Sequence, residues 1–325
     1  MHPTIRYIIR RIAQGIPTVF GIITFNFILL HIAPGDAADV LAGEAGAATP
    51  EFMANLRKQF GLDQPLYLQY LQYIWNVINL DLGFSFRHNV PVGDLILQRL
   101  PATLLLMGIS LILAVCFGVL MGIIAARFVD TVVDYVTTVL ALFWYSVPVF
   151  WVGLMMIILF SVTLGWLPSG GIETIGASYT GVDRFVDIAK HVVMPAASLS
   201  LLFMAVYTRL MRASMLEVYG LDFVRTARAK GLPEWRVASK HVLRNALLPV
   251  VTMAGLHVGG MLGGAVVVEV VFSWPGLGRL AYDAVFTRDF NLLLSILVLS
   301  SILVVVINIV VDLIYCFLDP RIEVR

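Results

Sequence analysis

The chain has 325 residues, of which 59% are hydrophobic and 13% charged, and its mean hydropathy is +0.90. Several apolar runs approach the ~20 residues that a bilayer core about 30 Å thick asks of a helix, which excludes a soluble globular domain and marks an all-α polytopic membrane protein. The formal net charge of +1 excludes nothing, because cations and anions can be sorted to opposite sides of a membrane.

In chain order, six segments read as transmembrane helices: residues 12–33, 102–126, 132–165, 193–211, 246–272 and 290–316. The first follows Arg6, Arg10 and Arg11 and has no small-x-small cleavage site, so residues 1–33 read as a tail with a retained anchor and not as a signal peptide. Residues 34–101 form an insert outside the membrane. There Tyr67, Tyr70, Leu71 and Ile74, with Trp75 and Ile78, fall on one helical face, so the insert reads as a small folded cap. It has no Cys, and its Asp and His residues lack metal-ligand spacing. The third segment carries Pro148 after the string FWYS and reads as one tilted or kinked helix, with two helices as the alternative. Cys116 and Cys316 lie inside predicted helices and read as buried apolar side chains. Residues 102–318 make a core of five helices, and 319–325 a tail.

Six crossings put both termini on one side. If that side is the cytoplasm, the inner segments carry 14 of the 22 Lys and Arg residues, and the outer ones carry 8 over nearly twice the length. The positive-inside rule therefore places the N- and C-termini and the loop 212–245 in the cytoplasm. Trp166 and Trp274 then fall at outer helix ends and Tyr315 near an inner one, as interfacial aromatics do.

Within the loop, RTARAKGLPEWRVASKHVLRNALLP (225–249) concentrates six cations around one acid, Glu234. Asp222 is suited to cap a short helix, Gly231 to end it in a left-handed turn, and Pro233 to open the next, giving two short helices with a glycine hinge. On the second, Arg236, Lys240 and Arg244 share one face, and Trp235, Ala238 and Val242 share the adjoining one. A basic amphipathic pair can simply lie on anionic lipid. A hinge with a large Trp beside small Ala residues suits insertion into a groove on another protein.

The stretch FSWPGLGRLAYDAVFTRDF (272–290) opens with a turn-dense string. Pro275 fixes φ, while Gly276 and Gly278 permit positive φ and close approach. It reads as a rigid re-entry turn with Trp274 at the interface, or as a turn that also touches an extracytoplasmic partner. Glu269, near the outer end of the fifth helix, is either solvated at the interface or lines a translocation pathway. His257 is a packed, hydrogen-bonded side chain or a substrate ligand, and Gly259, Gly260, Gly263 and Gly264 around it allow close helix packing. Arg209 and Asp312 lie near helix ends and can snorkel, and Asn26 and Asn308 are expected to bond across helices. His257 has no Ser or Asp at i±3 or i±4, so no nucleophile and base pair within the membrane, and no catalytic residue is assigned. The absence of any Gly-Lys dipeptide excludes a G-x-x-x-x-G-K-[ST] phosphate loop, so energy must arrive from a partner or an ion gradient. An ion-coupled secondary transporter would need acids near the bilayer midplane, and Glu269 lies too near the edge.

Four strings in one order, RYIIRRIAQGIPTVFGIITFNFILLHIAPGD, FGLDQPLYLQYLQYIW, MLEVYGLDFVRTARAKGLPEWRVASKHVLRNALLPVVT and VFSWPGLGRL, resemble the transmembrane subunits of binding-protein-dependent ABC importers, in the dipeptide, oligopeptide and nickel branch. That family has a cytoplasmic Glu-Ala-Ala signature followed by Gly and then Leu-Pro. Ala227, Gly231 and Leu248-Pro249 match it, whereas Arg225 stands where the general signature has Glu and the spacing to Leu-Pro is longer. The resemblance implies a type I ABC importer permease fold in a bacterial inner membrane. It further implies that Asp222, Arg225, Ala227, Gly231, Trp235, Arg236 and Lys240 belong to a coupling loop docked on an ATPase subunit. The implied partners are a second homologous permease, two ATP-binding subunits that hold ATP and magnesium, and an extracytoplasmic binding protein, with membrane lipid around them and no nucleic acid. This chain itself would hold no cofactor or metal. The implied cargo is a dipeptide or oligopeptide, with glutathione, an opine or a nickel chelate as alternatives within the family.

Overall fold

A computed structural model of the chain describes residues 3–32, 49, 54, 57–58, 63–85, 87–287 and 289–318, nearly all of them helical. In chain order the elements are α1 (Pro3–Ile32), α2 (Leu66–Ile78), a short hairpin of β1 (Phe84–Ser85) and β2 (Val90–Pro91), α3 (Val92–Arg127), α4 (Val132–Ser146) and α5 (Val149–Thr163). There follow α6 (Gly181–Tyr219), α7 (Asp222–Ala229), α8 (Glu234–Val271), α9 (Leu277–Phe286) and α10 (Phe290–Leu318). Among the described residues α3, α6, α8 and α10 are long and apolar enough to cross a membrane, and α1 has a shorter apolar stretch, Ala13–Leu29. The outward faces are apolar as well: Val139 and Leu142 of α4 are more than half exposed, an arrangement that favours lipid over water as the surroundings.

The third predicted segment is two helices. α4 and α5 meet at an angle of 100°, because Pro148 disfavours the helical region for the residue before it, and Val147 is extended at φ −81°, ψ 130°. Two stretches are wound more loosely, with i to i+5 hydrogen bonds: Ile157–Thr163 at the end of α5 and Val237–Val242 near the start of α8.

The chain divides into two compact units. The first comprises Met1–Pro101 and Leu280–Arg325. In it α10 lies along α1, and α2 packs on α1 through a Thr24 Oγ1 to Tyr70 hydroxyl bond of 2.6 Å and through Phe27 against Tyr70 and Tyr73. The buried side of α2 is Tyr73, Ile74 and Val77, set against Ile23 and Val298. Tyr67, Leu71, Trp75 and Ile78, predicted to share that face, point outward at 58–67% exposure. The hairpin is tied to the start of α10, where Ser85 Oγ donates to Asp289 (2.5 Å) and Asn291 Nδ2 to the Phe84 carbonyl (3.2 Å). Among the described residues the predicted cross-helix bonds of Asn26 and Asn308 are not formed: Asn26 Nδ2 is buried without a partner there, and Asn308 is exposed.

The second unit, Ala102–Arg279, holds two apolar clusters. One gathers Leu106, Leu199, Met261, Val268, Phe272 and Trp274; the other gathers Tyr207, Met211, Met215, Val224, Val237 and Val250. Gly118 and Gly122 lie one turn apart on α3 and face α6. A Cβ on Gly118 would stand 2.6 Å from Tyr207 Cβ, and one on Gly122 2.6 Å from Met211 Cβ. Of the glycines singled out on α8, Gly260 and Gly263 behave differently, since nothing lies within 4 Å of a Cβ on either, whereas one on Gly264 would meet Leu199 Cδ1 at 3.0 Å. Cys116 is exposed on α3, not buried. The side chains of Asp312, Tyr315 and Cys316 and the tail 319–325 lie outside the described residues.

Crowding at a helix crossing should cost about 1–3 kcal/mol. Gly122→Leu is expected to lower the thermal unfolding midpoint of the detergent-purified protein, whereas Gly108→Leu, where a Cβ meets open space, should leave it unchanged. Equal effects of the two would refute the α3–α6 contact.

Candidate functional site

Helix α7 is built from a two-sided octet. Val224 and Ala227 are buried with Met215, Val218 and Val237, while Arg225, Thr226 and Arg228 face outward. Asp222 does not cap it. The residue before the helix is Leu221, and Asp222 is the first helical residue, its carboxylate 3.5 Å from exposed Arg225, where a negative charge still complements the helix dipole. The C-terminus closes as expected from Gly231, which adopts φ +76°. The Gly231 amide donates to the Arg228 carbonyl (2.9 Å) and the Leu232 amide to the Ala227 carbonyl (3.4 Å), the paired bonds of a Schellman motif. Nothing would crowd a Cβ at Gly231, so the backbone angle alone selects glycine. Pro233 then stands just outside α8 as its cap residue.

Arg228 closes the hinge. Its guanidinium donates to both carboxylate oxygens of Glu234, at 2.7 and 3.2 Å, and lies 5.5 Å from the centre of the Tyr219 ring. The second helix of the predicted pair is not short, since it continues through the loosely wound turn into α8 as one 38-residue helix. That turn changes the buried register. Val237, Val242, Ala246 and Val250 face inward, whereas Trp235 is 64% exposed with Arg236 5.1 Å over its ring. Arg236, Lys240 and Arg244 are exposed, as the spacing indicated.

Near this loop lies an ion pair that the residue pattern did not disclose. Arg212 of α6 donates Nε and Nη2 to the two carboxylate oxygens of Asp134 on α4, each at 2.6 Å, and Asp134 is buried. The Asp130 amide adds a third donor at 3.1 Å. An acid two residues into an apolar run was the available signal, because such a charge needs a partner. Arg209, one turn earlier, sits 5.0 Å over the Tyr145 ring.

At the other end of α8 the Trp-Pro-Gly turn is enclosed. Trp274 is fully buried, not interfacial, and its Nε1 donates to the Ala102 carbonyl at 2.9 Å. Glu269 is likewise fully buried. It accepts from Thr103 Oγ1 (2.6 Å) and from the Arg279 amide (3.0 Å), and Thr103 Oγ1 in turn accepts from the Leu277 amide (2.8 Å). Gly276 and Gly278 are needed for close approach only. A Cβ on Gly276 would overlap the Glu269 carboxylate, and one on Gly278 would meet Val266 Cα at 2.6 Å. The positive φ of the turn falls instead on Ser273, at 52°. Pro275 is half-buried, and α9 follows directly. His257 pairs its Nδ1 with the Tyr207 hydroxyl at 3.2 Å and packs against Phe203. Among the described residues no three His, Cys, Asp or Glu side chains are grouped to hold a metal ion.

Residues 118–324 match the family described as binding-protein-dependent transport system inner membrane component, and residues 4–107 match the model of its N-terminal part. The chain is 42% identical over 322 residues to the oligopeptide transport system permease protein AppB of Bacillus subtilis (strain 168), covering 98% of this chain and 99% of that one. It is 41% identical over 336 residues to the dipeptide transport system permease protein DppB of Escherichia coli (strain K12), with coverage of 98% and 99%. A di/tripeptide transport system permease protein of Pseudomonas aeruginosa (strain UCBPP-PA14) is 40% identical over 333 residues, with 98% of each chain covered. Among solved structures, an inward-facing MetNI methionine ABC transporter aligns with a TM-score of 0.55 at 18% identity over 69% of this chain and 96% of that one, a likeness of fold.

The Thr103 hydroxyl is the sole link between Glu269 and the Leu277 amide in this network, and removing it leaves buried groups unpaired at about 1–3 kcal/mol. Thr103→Val should therefore lower the unfolding midpoint of the purified protein, and Thr103→Ser should restore it. A Ser variant as unstable as the Val variant would assign the effect to packing.

Proposed function

The chain belongs to the binding-protein-dependent transport system inner membrane components, as a multi-pass permease with the type I ABC importer fold, and on that premise we propose that its cargo is a dipeptide or oligopeptide. The observation that carries this is near full-length identity of 40–42% to three permeases, each named for di-, tri- or oligopeptides. Nothing in the chain supplies a phosphate loop, so ATP and magnesium belong to two ATP-binding subunits, with a binding protein delivering cargo from the other side. The distribution of Lys and Arg supports cytoplasmic termini.

The joint to the ATPases is α7 with the first turns of α8. Phe223 and Trp235, 42% and 64% exposed, offer apolar knobs set among Arg225, Arg236 and Lys240, and the paired turn at Gly231 with the Arg228–Glu234 bond holds their spacing. A fixed shape of this kind transmits a push, whereas a merely charged strand would yield. Asp222 and Ala227 serve it indirectly, one complementing the α7 dipole and the other seating α7 on α6. A second, homologous permease would pair along the α8 face where Leu256, Gly260 and Gly263 are open. Glu269 and His257, each bonded within this chain, are assigned to holding the wall of the pathway and not to gripping cargo. The enclosure of Trp274, Gly276 and Gly278 supports internal bracing over contact with a binding protein.

Trp235→Asp and Gly231→Val, which puts a β-branched residue at positive φ, should abolish co-purification with the ATP-binding subunits and peptide-stimulated hydrolysis while leaving membrane insertion intact. Docking that survives both changes would refute the joint. In proteoliposomes with the binding protein, stimulation of hydrolysis by glutathione or a nickel chelate but not by peptides would overturn the cargo.

A further inference from the structure

Helix α2 belongs to the insert that the sequence places outside the membrane, yet both of its neighbours in the first unit set it at membrane depth. Its partners on α1 descend in step: His31 Nε2 pairs with Gln69 Oε1 at 3.2 Å, the Phe27 and Tyr73 ring centres are 5.9 Å apart, and Ile23 shares a buried cluster with Val77. α2 therefore runs antiparallel down α1. On α10 the order repeats, with Asn291 bonded to the Phe84 carbonyl, Ser295 to the Leu82 carbonyl, and Val298 in the cluster with Val77. Ile23 lies six residues inside the Leu29 end of the apolar stretch Ala13–Leu29, and Val298 lies eight residues after Phe290, which begins α10. At ~1.5 Å per residue these are about 9 and 12 Å along helices of membrane-crossing character, so Val77 stands well inside the bilayer.

The chemistry agrees with that depth. From Gln64 to Leu80 there is no charged residue, and Leu71, Trp75 and Ile78, on the side of α2 turned away from its buried face, are each more than half exposed. Phe25 and Ile28 of α1, level with Trp75 and Leu71, are exposed as well. The non-helical return Asn79–Gly83 satisfies its backbone within the chain. The Asn79, Leu80 and Asp81 amides donate to carbonyls of α2, and the Gly83 amide to Asp81 Oδ1. The Leu82 and Gly83 carbonyls accept from Ser295 Oγ and the Val92 amide. Asp81, the one charge of the return, borders a notch of about 90 Å³ with Asn76, Asn291 and Ser295. A membrane tolerates irregular backbone and a charge where they line such a polar cavity. A protein confined to the aqueous side does not reach Leu71, Trp75 and Ile78 at this depth. Residues 33–62 carry Asp36, Asp39, Glu44, Glu51, Arg57 and Lys58, charges that a cover made from this segment would bring toward lipid. We propose that α2 and its return form a re-entrant segment, with Leu71, Trp75 and Ile78 lying against acyl chains of the leaflet at the C-terminal end of α1. With the termini cytoplasmic, as proposed above, this is the outer leaflet.

The test is spin labelling of the intact transporter in phosphatidylcholine nanodiscs, with Cys116 and Cys316 replaced by Ala and single labels at Gln64→Cys, Leu71→Cys and Ile78→Cys. Collision rates with molecular oxygen, which concentrates in lipid, and with water-soluble chromium oxalate report depth. The label at Gln64 is expected to meet chromium oxalate, and those at Leu71 and Ile78 to meet oxygen and exclude chromium oxalate. The seven residues between the last two should make Ile78 about 10 Å deeper than Leu71. Chromium oxalate reaching Leu71 and Ile78 as freely as Gln64 would put α2 in water and overturn the proposal. Exclusion of both reagents from Leu71 and Ile78 would overturn it too, by making the cover a protein: a neighbouring subunit or residues 33–62. The unsubstituted protein supplies a second measurement. A phosphatidylcholine with a diazirine midway along one acyl chain should crosslink to peptides containing residues 71–80, and their absence from the crosslinked set would refute the lipid contact. Termini found on the opposite side would change which leaflet is entered and leave both measurements to decide the contact.

Discussion

Close approach of α3 to α6 at Gly118 and Gly122 is the constraint on which the second unit depends. In lipid, two apolar helices gain little by burying surface against each other, because acyl chains are as apolar as leucine; they gain by packing close enough for many dispersion contacts and short polar bonds. With no side chain on either glycine, the backbones meet over Tyr207 and Met211, both fully buried. That seats Tyr207 beside His257 of α8 and Met211 beside the apolar cluster beneath α7. A side chain at either glycine would displace all of these together.

Each end of this unit is then closed by one buried carboxylate. At one end Asp134 gathers the Arg212 guanidinium and the Asp130 amide, and at the other Glu269 gathers the Thr103 hydroxyl and the Arg279 amide. Both acids are costly to bury and neither sits alone, since each is met by short donors from elements distant in sequence. The cost is offset by fixing where a loop meets a helix: the α3–α4 connection against α6, and the Trp274 turn against Ala102 and Thr103 of α3.

The segments that lipid dictates were legible from residues alone: every predicted apolar stretch lies on a helix or a helix pair, because runs of such length have few other fates in a bilayer. Gly231 was legible too, since one backbone angle decides its identity. What escaped depended on the third dimension. Trp274 and Glu269 read as interfacial because position along a helix says nothing of what a following turn folds over them. Gly260 and Gly263 matched a packing motif that Gly118 and Gly122 in fact use, and spacing cannot tell which side of a helix meets its own chain. The loosely wound turn at Val237–Val242 shifted the buried face of α8 off the 3.6-residue period on which the assignment of Trp235 and Ala238 rested. The Arg212–Asp134 bond joins residues 78 apart, beyond any local pattern.

Helix α8 leaves the Gly231 hinge and ends at the turn that Glu269 braces, 38 residues later, a distance of about 57 Å at 1.5 Å per residue. No loop interrupts it, and its regular hydrogen-bond ladder departs at two described places, the loosely wound turn at Val237–Val242 and the bond missing at Pro249. If Trp235 docks as proposed, those two places would set how a rotation at one end of this helix is passed to the turn at its other end.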